Sequence, residues 1–131
     1  MESKIELIPI LNLAYIGDSV FEIMVRRHLL DLPSCPVDKL SKMGHSISNA
    51  RYQSKCYFKI KDILNNEEIS ILKRGRNANP SSRAKNSSIG EYRNATGLEA
   101  LFGFLYLKNE NNRIQEIFKL CIEEIENLQK K

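Results

Sequence analysis

The stretch from Ile10 to Leu30 is apolar on almost every side of a helix, and this constrains the fold more than any other feature of the sequence. A helix of that kind must be covered on more than one face by the rest of the chain. Gly17 lies within it, and a glycine inside a helix costs roughly 1 kcal/mol relative to alanine. Its position therefore indicates that another backbone approaches closely there.

Asp18, Glu22 and Arg26 recur at intervals of four residues in this stretch, so they lie in one line along the helix. An ionised carboxylate in a largely buried helix needs a hydrogen-bonding partner, an opposite charge or a metal ion. An ion pair of Glu22 with Arg26 is one interpretation. A metal site in which Asp18 is a ligand and Glu22 is an outer ligand is another. The spacing alone favours the ion pair.

Composition predicts one globular, cytosolic domain over residues 1–131. Cys35, Cys56 and Cys121 are widely spaced and odd in number, which argues against disulfides and a zinc site and favours reduced thiols. The first residues carry acids rather than the basic start of a signal peptide, and no apolar run of 18 residues occurs. We therefore expect neither export nor a membrane span.

Apolar spacing predicts an all-α fold of about six helices, because no sustained alternation typical of strands is present. Ser46 or Ser48 is the expected cap of the third helix, and Asn65 with Glu68 forms a capping-box pattern. Gly44 is expected to end or bend the second helix, and Gly75 to close the fourth in the left-handed conformation. The predicted helices span residues 9–30, 37–44, 46–64, 65–75, 90–108 and 114–128, with an exposed loop at 76–88.

The predicted helix over 90–108 is also apolar nearly all round, and it carries an acid, Glu99, near a glycine, Gly97. If Gly17 and Gly97 let the two helices approach, Asp18 and Glu99 meet. Two such carboxylates suit Mg²⁺, which completes its octahedron with waters and phosphate oxygens. A buried hydrogen bond of Glu99 is the structural alternative.

The segment from Lys73 to Arg93 holds six basic residues and one acid, so positive charge is concentrated beside the Glu99 helix. A solvated loop is one interpretation, and a surface for nucleic-acid phosphates is the other. The candidate RNA-binding residues are Lys73, Arg74, Arg76, Asn77, Arg83 and Lys85.

Three stretches together resemble the Mini-ribonuclease III family: residues 13–22 (LAYIGDSVFE), 73–78 (KRGRNA) and 92–101 (YRNATGLEAL). The resemblance covers essentially the whole chain. It implies a ribonuclease III catalytic domain that works as a homodimer, without a separate double-stranded-RNA-binding domain.

The resemblance also implies magnesium-dependent hydrolysis of double-stranded RNA to 5′-phosphate and 3′-hydroxyl ends, in maturation of the large-subunit (23S) ribosomal RNA precursor. Asp18 and Glu99 match the catalytic acids of the family. Larger ribonuclease III enzymes carry further metal-binding acids where this chain has Ala14 and Thr96, which leaves the number of metal ions at each site open. Whether ribosomal proteins assist the cleavage is open as well. Ser19 and Leu98 replace the expected alanine and phenylalanine.

We expect the dimer surface on the first helix, at Tyr15, Phe21, Met24 and Val25, because one small core does not cover all faces of that helix. Two rival functions remain open at this point. One is a catalytically silent module that binds duplex RNA, and the other is a helical protein that only builds an oligomer.

Overall fold

In the computed structural model, which describes residues 2–78 and 88–130, the chain folds into six α-helices with two 3₁₀ segments, Glu2–Leu7 and Lys61–Ile63. The described residues contain no strand, so the predicted all-α class is confirmed. The helices are α1 (Ile10–Leu30), α2 (Val37–Ile47), α3 (Ala50–Ile60), α4 (Asn66–Asn77), α5 (Ile89–Leu107) and α6 (Asn111–Gln129).

Helix α5 lies at the centre of the fold, with α1, α3 and α4 packed around it. From Asn94 to Leu105 every residue of α5 is buried except Glu99, which is half-buried. Aromatic packing joins α5 to its neighbours, because the Phe21 ring meets Phe102 edge to face with centroids 5.4 Å apart. The apolar character of α5 on every side is thus explained by its central position.

Glycines set the closest contacts of α5 with α1. A Cβ atom at Gly17 would overlap the carbonyl oxygen of Glu99, and one at Gly103 would overlap the carbonyl oxygen of Leu13. The expected backbone approach at Gly17 is therefore confirmed.

The expectation that Gly97 faces Gly17 is wrong. Gly97 packs against α4, where a Cβ atom would lie 2.6 Å from the carbonyl oxygen of Leu72. Its partner is Gly75, at which a Cβ atom would lie 2.8 Å from the Cα atom of Gly97. Gly97 thus allows the close contact of α5 with α4, and Gly103 allows the close contact of α5 with α1.

Several predicted helix ends also differ from the structure. The third helix, predicted over residues 46–64, spans only Ala50–Ile60, because α2 continues to Ile47 and Lys61–Ile63 form a 3₁₀ segment. Gly44 lies inside α2, which continues to Ile47. Gly75 lies inside α4, which continues to Asn77, and none of the described glycines has a positive φ. Both glycines keep a helical backbone, so the predicted loop at 76–88 begins two residues too early. Its residues 79–87 lie outside the described part of the chain.

The caps are confirmed in part. Asn65 and Glu68 form the expected capping box at the start of α4. Helix α3 is capped by Asn49, whose side chain accepts a hydrogen bond from the Tyr52 amide at 3.0 Å, rather than by Ser46 or Ser48.

Glu68 also anchors α4 to α6. Arg113 donates to both of its carboxylate oxygens at 2.8 Å and to the carbonyl of Ile63 at 2.9 Å. Burial alone would raise the pKa of Glu68, but the hydrogen bonds from Arg113 and the Asn65 backbone lower it below its usual value. The ion pair therefore fixes the N-terminal end of the helix whose other end carries Arg74 and Arg76.

Phe21 and Val25 are core residues, which corrects their assignment to the dimer surface. Both side chains are fully buried inside the same chain, and Met24 is half-buried against the core. Tyr15, by contrast, is 84% exposed. The exposed side of α1 also carries Leu11, Ile23 and Leu30.

Within the described ranges, none of the helices combines the length and the apolar character needed to cross a membrane. The three cysteines are free thiols, and Cys56 donates to the carbonyl of Cys121 at 3.6 Å inside the core.

We expect Gly17→Ala to destabilise the protein by more than about 3 kcal/mol, because the new methyl group would overlap the α5 backbone. Gly44→Ala is the matched control, since its methyl group would meet only Leu29 at 3.7 Å. That substitution should change the free energy of unfolding by at most about 1 kcal/mol, towards higher stability. Urea unfolding of both variants measures the difference, and equal stabilities would contradict the close crossing.

Candidate active site

The crossing of α1 and α5 brings Asp18 next to Glu99, as the sequence analysis expected. Gly17 packs on the backbone of Glu99, so the residue that follows Gly17 faces the Glu99 side chain, and the two carboxyl groups share a hydrogen bond. Asp18 is exposed and Glu99 is half-buried. The pair therefore opens to solvent on the α1 side and is backed by the core on the α5 side.

The pKa of the Glu99 carboxyl is raised to about 8. Burial is the largest cause, and the charge of Asp18 and the hydrogen bond with it raise the pKa further. A hydrogen bond from Gln53, a buried residue of α3, offsets part of this rise. Near neutral pH Glu99 therefore keeps its proton, and a divalent cation can take the place of that proton.

Two carboxylates are all that this centre offers among the described residues, which contain no group of three or more potential metal ligands. Ala14 is buried, and Thr96 turns its hydroxyl to its own helix, where it donates to the carbonyl of Tyr92 at 3.0 Å. A cation held here would take its remaining ligands from water and substrate, as Mg²⁺ commonly does.

Glu22 uses both of its carboxylate oxygens in other contacts. One accepts from Arg26 at 3.1 Å, and the other accepts from the hydroxyl of Ser48 at 2.9 Å. The ion pair that the spacing favoured is therefore present, and Glu22 also links α1 to the residue that follows α2.

The basic residues form a surface at the C-terminal end of α4. Lys73, Arg74 and Asn77 are exposed, and Arg76 is half-buried where α4 meets α5. Cations at a helix C-terminus are stabilised by its partial negative charge. Arg83 and Lys85, predicted to belong to the same surface, lie outside the described residues.

Three buried polar residues of the site were missed by the sequence analysis: Gln53, Ser54 and Asn94. Gln53 bonds to Glu99. Asn94 accepts from Nε of Arg76 and donates to Ser54, each at 2.9 Å. Their signal in the sequence was weak, because a polar residue between apolar positions of a helix normally marks its exposed side.

Known proteins similar to this chain include several ribonucleases. Residues 11–110 match a family model described as Ribonuclease III domain. The Mini-ribonuclease 3 of Clostridium tetani is 46% identical over 114 residues, which are 86% of this chain and 75% of that protein. That of Staphylococcus aureus is 36% identical over 92% of each chain. A crystal structure of a protein from Fusobacterium nucleatum has a TM-score of 0.81 at 33% identity, with 88% of each chain covered.

The raised pKa of Glu99 predicts how stability depends on pH without a cation. Folded and unfolded chains both bind the proton below about pH 4.5, but only the folded chain retains it up to about pH 8. The stabilisation is therefore full below pH 4.5 and is lost as pH rises through 8. Glu99→Gln should flatten this decline, measured as Tm against pH in chelator. Glu123→Gln, at an exposed position of α6, is the control. Parallel curves of Tm against pH for Glu99→Gln and the unmodified protein would contradict the raised pKa of Glu99 beside Asp18.

Proposed function

Because this chain belongs to the ribonuclease III family of double-stranded-RNA endoribonucleases, we propose that it cuts RNA duplexes at the Asp18–Glu99 centre with the help of Mg²⁺. The single observation that carries the assignment to this centre is the hydrogen-bonded carboxyl pair where α1 crosses α5. The proposed domain spans residues 1–131.

Asp18 and Glu99 would hold the ion, and a bound Mg²⁺ would activate the attacking water and stabilise the charge that develops on the phosphate. The donor set fits, because two hard oxygen ligands beside solvent leave room for waters and phosphate oxygens. Cleavage of this type leaves 5′-phosphate and 3′-hydroxyl ends. Two carboxylates do not by themselves fix the number of metal ions at each centre.

Residues of the protein itself position the two carboxyl groups. Gln53, itself buried, holds the Glu99 carboxylate and favours its ionised form, while exposed Asp18 faces the side from which the RNA arrives. The core behind Glu99 keeps water from that side, which strengthens the electrostatic interactions of the site.

The basic surface at the end of α4 is the proposed RNA-binding surface. Lys73, Arg74, Arg76 and Asn77 would bind backbone phosphates and 2′-hydroxyls, and Arg83 and Lys85 would extend this surface. Contacts of that kind read the A-form shape of a duplex rather than its sequence. Arg76 lies on α4 and donates to Asn94 of α5, the helix that carries Glu99, which supports this assignment.

We propose a homodimer, because cutting both strands of a duplex takes two centres. Tyr15 is the strongest interface candidate, since its side chain is 84% exposed on α1 and is left uncovered by the described residues. Ile23 and Leu30 are 58% and 70% exposed on the same helix and would replace Phe21 and Val25 in the proposed interface, with Met24 at its edge.

The proposed substrate is the precursor of large-subunit (23S) ribosomal RNA in the cytoplasm. The resemblance of residues 13–22, 73–78 and 92–101 to the Mini-ribonuclease III family supports this choice. Proteins bound to the same precursor would assist by shaping the duplex near the cut.

We expect the protein to cut both strands of an end-labelled RNA duplex with Mg²⁺ but not with chelator. Asp18→Asn should lower kcat at least about 1,000-fold, because it removes one of two charged ligands, while duplex binding stays within about threefold. Binding with no cut under any divalent cation would instead indicate the silent RNA-binding module. Retained cleavage by Asp18→Asn would refute the proposed centre.

Sedimentation velocity tests the interface. Tyr15→Lys should turn a dimer into a monomer, because a desolvated lysine charge in an apolar interface is strongly unfavourable. Phe58→Lys is the control, since Phe58 is an aromatic residue on α3 that is 53% exposed. A dimer that survives Tyr15→Lys would exclude this surface.

A further inference from the structure

A chain of hydrogen bonds runs through the contact of α3, α4 and α5. The hydroxyl of Ser54 accepts from Nδ2 of Asn94 at 2.9 Å, and Oδ1 of Asn94 accepts from Nε of Arg76 at 2.9 Å. Ser54 and Asn94 are each 5% exposed, whereas Arg76 is half-buried at the surface. The chain of bonds thus leads from the interior to one basic residue.

Asn94 occupies a position where packing alone would favour an apolar residue. A buried amide is costly unless its polar atoms are bonded, and its neighbour Ala95 and most of the following turn are apolar. The contact of α4 with α5 is already made by Gly75 and Gly97, whose backbones touch without any side chain. The close backbone contact of α4 with α5 is therefore made without the amide of Asn94.

The bond to Nε has a specific consequence for Arg76. The guanidinium is planar, so fixing Nε also fixes the directions of Nη1 and Nη2. Nη1 donates to the exposed Asn77 side chain at 3.3 Å, on the solvent side of the same group. Asn94 precedes Glu99 by five residues, which is about 7.5 Å along the helix. The guanidinium is thus anchored on the helix that carries Glu99, about one and a half turns before that residue.

We infer that Asn94, supported by Ser54, is a positioning residue that orients the Arg76 guanidinium towards a phosphate of the RNA duplex that is cut at the carboxyl pair. This inference rests on the proposed function and deepens it. A lysine at position 76 would keep the charge but lose both the Nε bond and the planar fork. Asn94 touches Arg76, and through it acts on substrate binding.

The test compares Arg76→Met, Asn94→Leu and their double variant. KM and kcat are measured with an end-labelled RNA hairpin, and the salt dependence of binding is measured in the Asp18→Asn background. Arg76→Met and Asn94→Leu should each raise KM about tenfold, and each should lower the slope of log affinity against log salt by about one. The double variant should be no worse than Arg76→Met, because both substitutions remove one contact.

Asn94→Asp is a conservative variant that should retain normal substrate binding. Its carboxylate still accepts from Arg76 and from the hydroxyl of Ser54, so KM should stay within about threefold of the unmodified protein. Ser54→Ala removes only the far end of the chain of bonds and should raise KM two- to threefold. Lys59→Met, at an exposed position of α3, controls for the loss of one positive charge.

The outcomes are distinguishable. If Arg76→Met weakens binding while Asn94→Leu leaves KM and the salt slope unchanged, the inference is overturned and the proposed function stands. If Arg76→Met itself has no effect, Arg76 does not bind the RNA, and the inference about Asn94 is overturned as well. If Asn94→Leu does not fold, the same decision rests on Ser54→Ala and Asn94→Asp. A Ser54→Ala variant with unchanged KM, together with an Asn94→Asp variant as weak as Arg76→Met, overturns the inference.

Discussion

The contact of α1 with α5 at Gly17 and Gly103 is the constraint on which the rest of the structure depends. Neither helix could approach the other as closely if a Cβ atom stood at either position, because it would overlap a carbonyl oxygen of the opposite backbone. Close packing of two backbones leaves little space for side chains between them, so the side chains next to the contact are forced to its edge. Asp18 and Glu99 lie at that edge, and their proximity follows from backbone geometry rather than from mutual attraction.

Proximity of two carboxyl groups is unfavourable for the folded chain. Burial and the Asp18 charge both raise the pKa of Glu99, to about 8, and only the bond from Gln53 acts in the opposite direction. A fold selected for stability alone would avoid this pair, since a half-buried acid gains nothing from a second acid. Perturbed acids of this kind are typical of sites that bind cations or transfer protons. The unfavourable energy of the carboxyl pair and the metal chemistry proposed for it thus have one cause.

The sequence predicted the acids of the centre and misplaced several of the residues around them. Asp18 and Glu99 were identified because acids are conspicuous in apolar helices. Phe21 and Val25 were misassigned to the surface because an apolar residue on a helix that is apolar all round has the same pattern whether it meets the core or a partner. Gly97 was paired with the wrong helix because a glycine marks a close contact without identifying its partner. Gln53, Ser54 and Asn94 were missed because only packing reveals that a polar residue is buried.

By itself the sequence determined the helical class, most of the helix bounds, the two acids and the concentration of positive charge near Arg76. These features depend on spacing, capping and composition, which are local properties of the chain. The tertiary structure alone decided which face of each helix is covered, which glycine meets which backbone, and which polar groups bond inside the core. Those decisions are long-range: the bond of Glu99 to Gln53 and that of Asn94 to Ser54 join residues from different helices. Their partners are chosen by how the helices cross, and no pattern within one helix encodes that crossing.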